Sequence, residues 1–191
     1  MIVTATEVTV YTDISASAGT ITSSGLIPIV QDRINLITNN YFLARDMYLQ
    51  GPVTFNATAN TITGDNSFSD EGFIAGDEIY IYNSYRNDGY HVVETVSDEV
   101  LTITSASSMI AEATTRSVYI SVVDWPTSIK YVAAQMVKYD YDDRAQAVPG
   151  VASKTLGPYS ISYSGASNSN LFGYPQSIID SLAPFTAVRV V

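Results

Sequence analysis

The apolar residues of the chain change their spacing twice along its length. In residues 26 to 37 they recur every three or four positions, which predicts an amphipathic helix. From residue 53 to residue 123 they recur every second position, and turn sequences such as Asn87-Asp88-Gly89 separate the runs, so this region predicts about five or six short strands. Helical spacing returns in residues 124 to 140. A strand-rich segment therefore lies between two helices in the sequence.

Each of these two helices has only one apolar stripe, so neither is stable alone and the two must pack together. The strand-rich segment is then looped out between them, as an insert whose ends lie close together. We therefore predict an α+β fold in which residues 1–50 and 124–191 form a small helical bundle. Residues 51–123 form an inserted small β-barrel or sheet, expected to be closed or nearly closed because closure removes exposed strand edges.

Three shorter segments complete the predicted fold. Residues 7–11 alternate between apolar and polar side chains, which is typical of a short edge strand. Residues 14–25 are small and polar, and are predicted to form a loop. Residues 174–185 predict a short last helix with Pro175 in its first turn, where the missing N–H costs little.

An extended hairpin arm is predicted at residues 153–165. Within it, tyrosine and isoleucine alternate strictly with serine, which gives a strand one apolar face. Such an arm needs a partner sheet, and it obtains one either by adding a strand to a neighbouring molecule or by folding back on its own domain. The predicted interface residues on this arm and on the extended C-terminus are Lys154, Tyr159, Ile161, Tyr163, Val188 and Val190.

The charge of the chain is strongly acidic and unevenly distributed. Nineteen acidic residues stand against nine lysines and arginines, for a formal charge of −10. Nine of the acids fall in residues 64–99, where Arg86 is the single basic residue. Such a protein is repelled by nucleic-acid phosphates, so sequence-specific nucleic-acid binding is not expected.

No sequence pattern of an enzyme is present. The chain has no cysteine and one histidine, His91, which excludes disulfides and thiolate chemistry and argues against a zinc site. Nucleophile, phosphate-binding and dinucleotide motifs are missing, and neighbouring carboxylates on a strand point to opposite faces. We therefore predict a protein that is not an enzyme, with no catalytic, cofactor or metal site. With no signal peptide and no membrane span in the sequence, we expect it to be soluble and made in the cytoplasm.

The order of the segments is similar to that of one known family. The insert contains a GF-x-x-GD-x-I pattern at residues 72–79, an NDG turn and a later LTI strand. Four further segments carry the family pattern: GLIPIVQDRINLITNNYF, WPTSIKYVAAQMVKYDYDDR, GVASKTLGPYSISYSG and YPQSIIDSLAPFTAVRV. Together they resemble the head–tail connector proteins of long-tailed bacteriophages, which are also called adaptor or head-completion proteins.

This resemblance implies a structural virion protein located in the neck of the particle. Such proteins form a ring of identical subunits, expected to be dodecameric, that completes the head after genome packaging. The implied partners are the portal protein, a tail-completion (stopper) or tail terminator protein, and other copies of the chain. DNA would pass through the ring without sequence-specific contacts, and no membrane is involved. A closed ring requires heterologous contacts, for which the arm and the C-terminus are candidates.

Two alternative functions are consistent with the sequence. One is a tail terminator or tail-tube protein, although those proteins are mostly β-sheet. The other is a carbohydrate-binding module carried by the insert. The whole chain has fourteen tyrosines, and those of the insert offer aromatic side chains for stacking on sugars. The tyrosines proposed for that role are Tyr80, Tyr82, Tyr85 and Tyr90.

Overall fold

The computed structural model describes residues 1–65, 67–113, 117–143, 153–156, 159–162 and 172–187. The chain divides into two compact units. The first unit consists of Met1–Asn40 and Trp125–Val191, and the second of Tyr41–Asp124. Five α-helices and an open antiparallel sheet of eight strands make the described part of the chain an α+β protein, as predicted.

The first unit contains all five described helices. They are α1 (Ala5–Tyr11), α2 (Ala18–Ser24), α3 (Leu26–Thr38), α4 (Thr127–Lys138) and α5 (Gln176–Leu182). A π-helical turn at Tyr139–Asp143 follows α4, and a 3-10 turn at Ala183–Phe185 follows α5. Helix α4 packs against α1, α3 and α5, so it is the central helix of this unit.

The two principal helices were predicted correctly. Helix α3 buries Ile27, Val30 and Ile34 on one face and ends at Asn39, which adopts a left-handed conformation. Helix α4 buries its apolar stripe from Ile129 to Val137. The predicted small helical bundle is wrong, however. Helices α1, α2 and α5 have seven residues each, about 10 Å of helix, and are too short to form the side-by-side packing of a bundle.

Two short helices replace the strand and loop predicted near the N-terminus. The Thr4 hydroxyl accepts a hydrogen bond from the Glu7 N–H at 3.1 Å, and the Glu7 carboxylate accepts one from the Thr4 N–H at 2.7 Å. This reciprocal capping box begins α1 where a strand was predicted. Helix α2 begins at the N-cap Ser17 and ends at Gly25, whose φ of 67° favours glycine.

The second unit is built on one antiparallel sheet. Its strands are β1 (Leu43–Gly51), β2 (Val53–Asn56), β3 (Thr61–Gly64), β4 (Glu78–Tyr82), β5 (Gly89–Val96), β6 (Val100–Ile103), β7 (Glu112–Ala113) and β8 (Val118–Val123). The spatial order is β1-β8-β4-β5-β6-β3-β2-β7. The unit begins ten residues before the predicted insert because β1 pairs with β8 in this sheet.

The sheet is open, so the predicted small closed barrel is wrong. Its two edge strands, β1 and β7, do not pair with each other. Strand β7 has only two residues, and β1 has an irregular register between Leu43 and Tyr48 with Arg45 and Asp46 exposed in it. Very short, bulged and charged edges resist unwanted pairing, so this sheet manages its edges without closure.

The hydrophobic core of the second unit follows the predicted alternation. Ile79 and Ile81 on β4 are fully buried, whereas Tyr80 and Tyr82 face the opposite side. Val118, Ile120 and Val122 of β8 join the same core. Phe68 and Phe73 pack edge to face with ring centroids 5.6 Å apart and lie in this core as well. The period-two pattern therefore identified the buried face of the sheet correctly.

Strands β9 (Ser153–Leu156) and β10 (Tyr159–Ser162) form a separate antiparallel pair. Among the described strands, each pairs only with the other. No helix in the described part of the chain is long and apolar enough to cross a membrane.

Candidate functional site

The predicted interface residues fall partly on the β9–β10 hairpin. Ile161 is the cross-strand partner of Lys154, and Tyr159 is the partner of Leu156. The other three predicted interface residues, Tyr163, Val188 and Val190, lie outside the described residues. The structure therefore places half of the predicted set on one hairpin, and their assignment to an interface stays a prediction.

The β9–β10 hairpin is an incomplete sheet. Each of its two strands has one paired edge, and the outer edge of each has no strand beside it among the described strands. An isolated two-stranded hairpin is marginally stable in water, and its outer backbone N–H and C=O groups are a template for another strand. Strand addition from another polypeptide would satisfy those groups.

The segment after α5 is attached to its own unit. The Ala187 N–H donates to the Thr38 carbonyl at 2.8 Å, and the Asn40 side-chain amide donates to the Phe185 carbonyl at 3.2 Å. These bonds join the segment to the C-terminal end of α3.

A polar network connects three segments of the first unit. Arg33 on α3 donates to the Asp140 carboxylate and to the Tyr174 hydroxyl, both at 2.5 Å. The Tyr174 hydroxyl in turn donates to Asp140 at 2.7 Å. The Asp140 side chain is 4% exposed, so this ion pair is largely removed from water. The network joins α3, the turn after α4 and the segment before α5.

The surroundings of this network shift the pKa values of Tyr174 and Arg33. Burial, reinforced by the hydrogen bond to Asp140, raises the pKa of Tyr174, so the phenol keeps its proton. Burial acts to lower the pKa of Arg33, but its hydrogen bonds and charge interactions with Tyr174 and Asp140 outweigh that effect and raise it. Arg33 also lies over the Phe172 and Tyr174 rings, at 5.8 and 5.6 Å from their centroids. These contacts make the network a structural connection between the three segments.

The second unit carries a continuous set of tyrosines on the side of the sheet opposite the core. Tyr80 on β4 is the cross-strand partner of Tyr90 on β5, and Tyr82 is the partner of Tyr119 on β8. Tyr48 on β1 is the partner of Ser121, which is also the partner of Tyr80. Directly opposed residues share a face of the sheet. We call this surface the tyrosine face: Tyr41, Tyr48, Tyr80, Tyr82, Tyr90 and Tyr119.

All rings of the tyrosine face except Tyr82 pack against a neighbouring ring. Tyr41 stacks on Tyr80 with centroids 4.6 Å apart, and Tyr48 stacks on Tyr119 at 5.2 Å. Tyr90 meets Tyr80 edge to face at 4.8 Å. Burial, followed by the neighbouring Tyr41, raises the pKa of Tyr80, so this phenol is neutral at physiological pH. The stacking holds the rings in a defined arrangement.

Part of the tyrosine face remains open to solvent. Tyr82 is 61% exposed, Tyr41 42% and Tyr48 40%. The alternative sugar-binding function named Tyr80, Tyr82, Tyr85 and Tyr90, and the structure places Tyr80, Tyr82 and Tyr90 on one face while leaving that function untested. Tyr85, the fourth residue of that group, lies in the loop between β4 and β5.

The β4–β5 loop that presents Tyr85 is held by a carboxylate from another strand. The Glu112 carboxylate accepts hydrogen bonds from the N–H groups of Tyr85 and Arg86, at 2.8 and 3.1 Å. It also accepts one from the Asn87 side-chain amide at 3.0 Å. Asn87 is buried and exchanges further bonds with the backbone of Ile110. These bonds fix the loop backbone while leaving the Tyr85 side chain 65% exposed.

His91 is a partly buried residue on the core-facing side of β5. Its cross-strand partner is Ile79, and its Nε2 lies 3.1 Å from the Asn87 carbonyl, so Nε2 carries the proton of the neutral ring. Nδ1 has no hydrogen-bond partner in the described part of the chain. Burial lowers the pKa of His91, against the opposing effect of the Asn87 hydrogen bond. No carboxylate or nucleophile among the described residues is hydrogen-bonded to this ring.

The two units differ sharply in charge. The second unit contains twelve acidic residues against three arginines, a formal charge of −9, and it has no lysine. The first unit contains seven acids against six bases, a formal charge of −1. Among the described residues, no group of three or more metal-ligating side chains is arranged to hold an ion. None of the twelve acidic side chains of the second unit is buried, so its negative charge lies at the surface.

Comparison with models of known protein families finds no match to this chain, and neither does comparison with curated protein sequences.

Proposed function

We propose that the chain is a structural head–tail connector protein of a long-tailed bacteriophage, and that it forms the neck ring between portal and tail. The observation that carries this proposal is the β9–β10 hairpin, which pairs only with itself among the described strands. A ring-forming subunit needs a patch that contacts a different patch on the next copy, and an unpaired strand edge offers such a patch.

The organisation of the first unit supports the same proposal. Residues from both ends of the chain build it, and the second unit lies between them in the sequence. Its main helices, α3 and α4, coincide with two of the segments that resemble the connector family. The hairpin and α5 coincide with the other two. The order of these elements along the chain supports the proposal because it follows the order of the four resembling segments.

The charge of the chain is compatible with a channel for DNA. At −10 per subunit, a ring of copies presents a strongly negative surface that repels phosphates. DNA that must move through a ring is better served by repulsion than by tight binding. We propose a dodecameric ring in the virion neck, with the portal protein and a stopper or tail terminator protein as its other partners.

Labelling of virus particles tests the location directly. An antibody against the chain, detected by electron microscopy in particles of the virus that encodes it, should label the junction of head and tail. Label along the tail would favour a tail-tube protein, and label at the far end of the tail tube or absence from particles would overturn the connector proposal.

A hairpin variant tests the observation on which the proposal rests. Replacing residues 153–162 with glycine and serine of the same length should leave the circular dichroism spectrum of the chain nearly unchanged but prevent joining of heads to tails. The matched control replaces residues 57–59, a turn between β2 and β3, in the same way and should assemble normally. If the hairpin variant gives as many joined particles as the control, the hairpin does not complete the ring.

The purified chain should be monomeric or only weakly associated. The reason is that the arm is expected to become ordered on its partner, and the ordering cost reduces the affinity between free copies. Light scattering at micromolar concentration measures this directly. A stable ring of the purified chain would show that the expected weak association is wrong. The location of the protein in the neck would still be decided by the labelling experiment.

A further inference from the structure

We propose that the tyrosine face of the second unit binds an arginine- or lysine-bearing surface of a partner protein. This proposal concerns a second binding surface and does not depend on the ring or on its location in the particle.

The first argument is the chemistry of the exposed rings. Tyr41, Tyr48 and Tyr82 are each at least 40% exposed on one side of the sheet. Tyrosine offers a large apolar ring with a hydroxyl that stays hydrogen-bonded, which is why it is enriched at protein interfaces. The face of a tyrosine ring also attracts guanidinium and ammonium groups.

The second argument is the charge beside these rings. Glu78 lies two residues before Tyr80 on β4, on the same side of the strand, and its cross-strand partner is Val92. Asp88 lies close enough to Tyr80 to influence its phenol electrostatically. Aromatic rings flanked by carboxylates are complementary to a cationic side chain, because the ring and the carboxylate both attract it.

The three arginines of the second unit do not neutralise its acidic charge. Arg45 lies in the irregular segment of β1 and Arg86 in the β4–β5 loop, and both are exposed. Arg116 lies outside the described residues. With twelve acids in the unit, its formal charge remains −9. Anionic partners such as nucleic acids, phosphorylated peptides and acidic lipids are therefore disfavoured.

The third argument is rigidity. Tyr41 stacks on Tyr80 and Tyr48 stacks on Tyr119, so each ring restricts the motion of its partner. On the same face of the sheet, the Ser121 hydroxyl donates a hydrogen bond to the Ala44 carbonyl at 3.3 Å. The rings thus lose little conformational freedom when a partner binds, and pre-organisation of this kind increases affinity. A neutral oligosaccharide could stack on the same rings, but the adjacent carboxylates give it no charge complementarity.

Calorimetry with simple probes tests the charge preference. The full chain is titrated with a short peptide of alternating arginine and serine, with the matched glutamate–serine peptide, and with a neutral cello-oligosaccharide. We expect binding of the arginine peptide that weakens as NaCl rises from about 50 to about 300 mM, and no binding of the glutamate peptide. Binding of the oligosaccharide without the arginine peptide would overturn the proposal in favour of a sugar-binding face.

Tyrosine variants separate a specific surface from general attraction to an acidic protein. The double variant Tyr48→Ser and Tyr82→Ser should weaken binding of the arginine peptide about 10-fold, because two exposed rings are removed. The matched control is Tyr131→Ser on α4 of the first unit, where the side chain is 47% exposed, and it should bind as the unaltered chain does. Glu78→Gln should weaken binding about 2- to 3-fold and reduce its salt dependence. Equal affinities for the double variant and the control would show that the tyrosine face is not the binding surface.

Discussion

The two units of this chain place their polar groups in different ways. The first unit buries a charged network, Arg33–Asp140–Tyr174, among its helices. The second unit keeps its sheet core apolar and holds its loops with the side-chain amides of asparagines, buried at Asn87 and half-buried at Asn60. Asn60, for example, donates to the carbonyls of Ile103 and Ser107 and accepts from the Met109 N–H. The stability of the first unit should therefore be sensitive to the loss of single polar contacts. The stability of the second unit should be sensitive to the loss of buried side-chain volume in its core.

The largest effect is expected from the core of the second unit. Ile120 on β8 is fully buried between strands β1 and β4. Ile120→Ala should reduce the free energy of unfolding by about 3 kcal/mol, because it removes buried methylene groups and leaves a cavity. Hydrogen exchange measured by mass spectrometry should become faster in residues 41–124 than in residues 1–40.

The control for this variant is Ile74→Ala, whose side chain is 64% exposed. Its effect should stay within about 0.5 kcal/mol. If both substitutions destabilise the chain equally, burial in this sheet does not determine its stability.

A smaller effect is expected from the charged network of the first unit. Arg33→Met leaves the Asp140 carboxylate, which is 4% exposed, without its cation. We expect a loss of about 2 kcal/mol, less than for a fully buried pair because the Arg33 side chain is itself 23% exposed. Urea denaturation followed by fluorescence of Trp125, which is buried in this unit, measures the loss.

An exposed ion pair of the same unit provides the comparison. Lys130 lies 3.8 Å from Glu7, and each side chain is about one-third exposed. Lys130→Met should change stability by less than about 0.5 kcal/mol. A larger loss for Lys130→Met than for Arg33→Met would mean that burial of the charged network is not what stabilises this unit.

The third prediction concerns pH and the second unit. The folded protein holds the pKa of His91 below its ordinary value, first because the ring is buried. The unfolded chain therefore binds the proton more readily, and stability should fall as pH decreases below about 6.5, until His91 also titrates in the folded state. His91→Gln, which keeps a side-chain amide donor for the Asn87 carbonyl, should flatten this slope in urea titrations between about pH 5 and pH 7. An unchanged slope in that variant would assign the pH dependence to other groups.

The sequence predicted those parts of the fold in which one regular pattern dominates. The stripe of α3 and the alternation in β4 and β8 were predicted correctly because burial of one face imposes them. Strand β1 was missed because four residues, 44 to 47, lie between its paired positions Leu43 and Tyr48 where β8 has only Val122, and this bulge breaks the alternation. The openness of the sheet depends on the same bulge and on the two-residue β7, neither of which periodicity reveals.

The candidate surface was predicted in part for the same reason. Tyr80 and Tyr82 of the regular strand β4 were correctly predicted to share a face, and Tyr90 of β5 lies opposite Tyr80 on that face. Tyr48 follows the bulge, and Tyr41 precedes β1, so no sequence period connects either residue to that group. Their stacking on Tyr119 and Tyr80 is a tertiary contact that depends on the order of strands in the sheet. That order places β8, the last strand of the unit in the sequence, between β1 and β4.

The smallest predicted effect concerns α1, where local capping prevails over alternation. Residues 7–11 alternate as a strand does, yet the Thr4–Glu7 capping box begins a helix that buries Val8 completely. Thr4→Ala should cost about 1 kcal/mol, whereas Thr6→Ala on the exposed side of the same helix should cost nothing measurable. The hydrogen bond from the Thr4 N–H is the main cause of the lowered pKa of Glu7, so the stabilisation by Glu7 is present above its ordinary pKa and is lost as pH falls through the lowered one. The Thr4 side chain, which the substitution removes, also lowers the pKa of Glu7, so urea denaturation at neutral and acidic pH should show a loss from Thr4→Ala that shrinks in acid. An equal loss at both would mean that the threonine contributes without its glutamate partner.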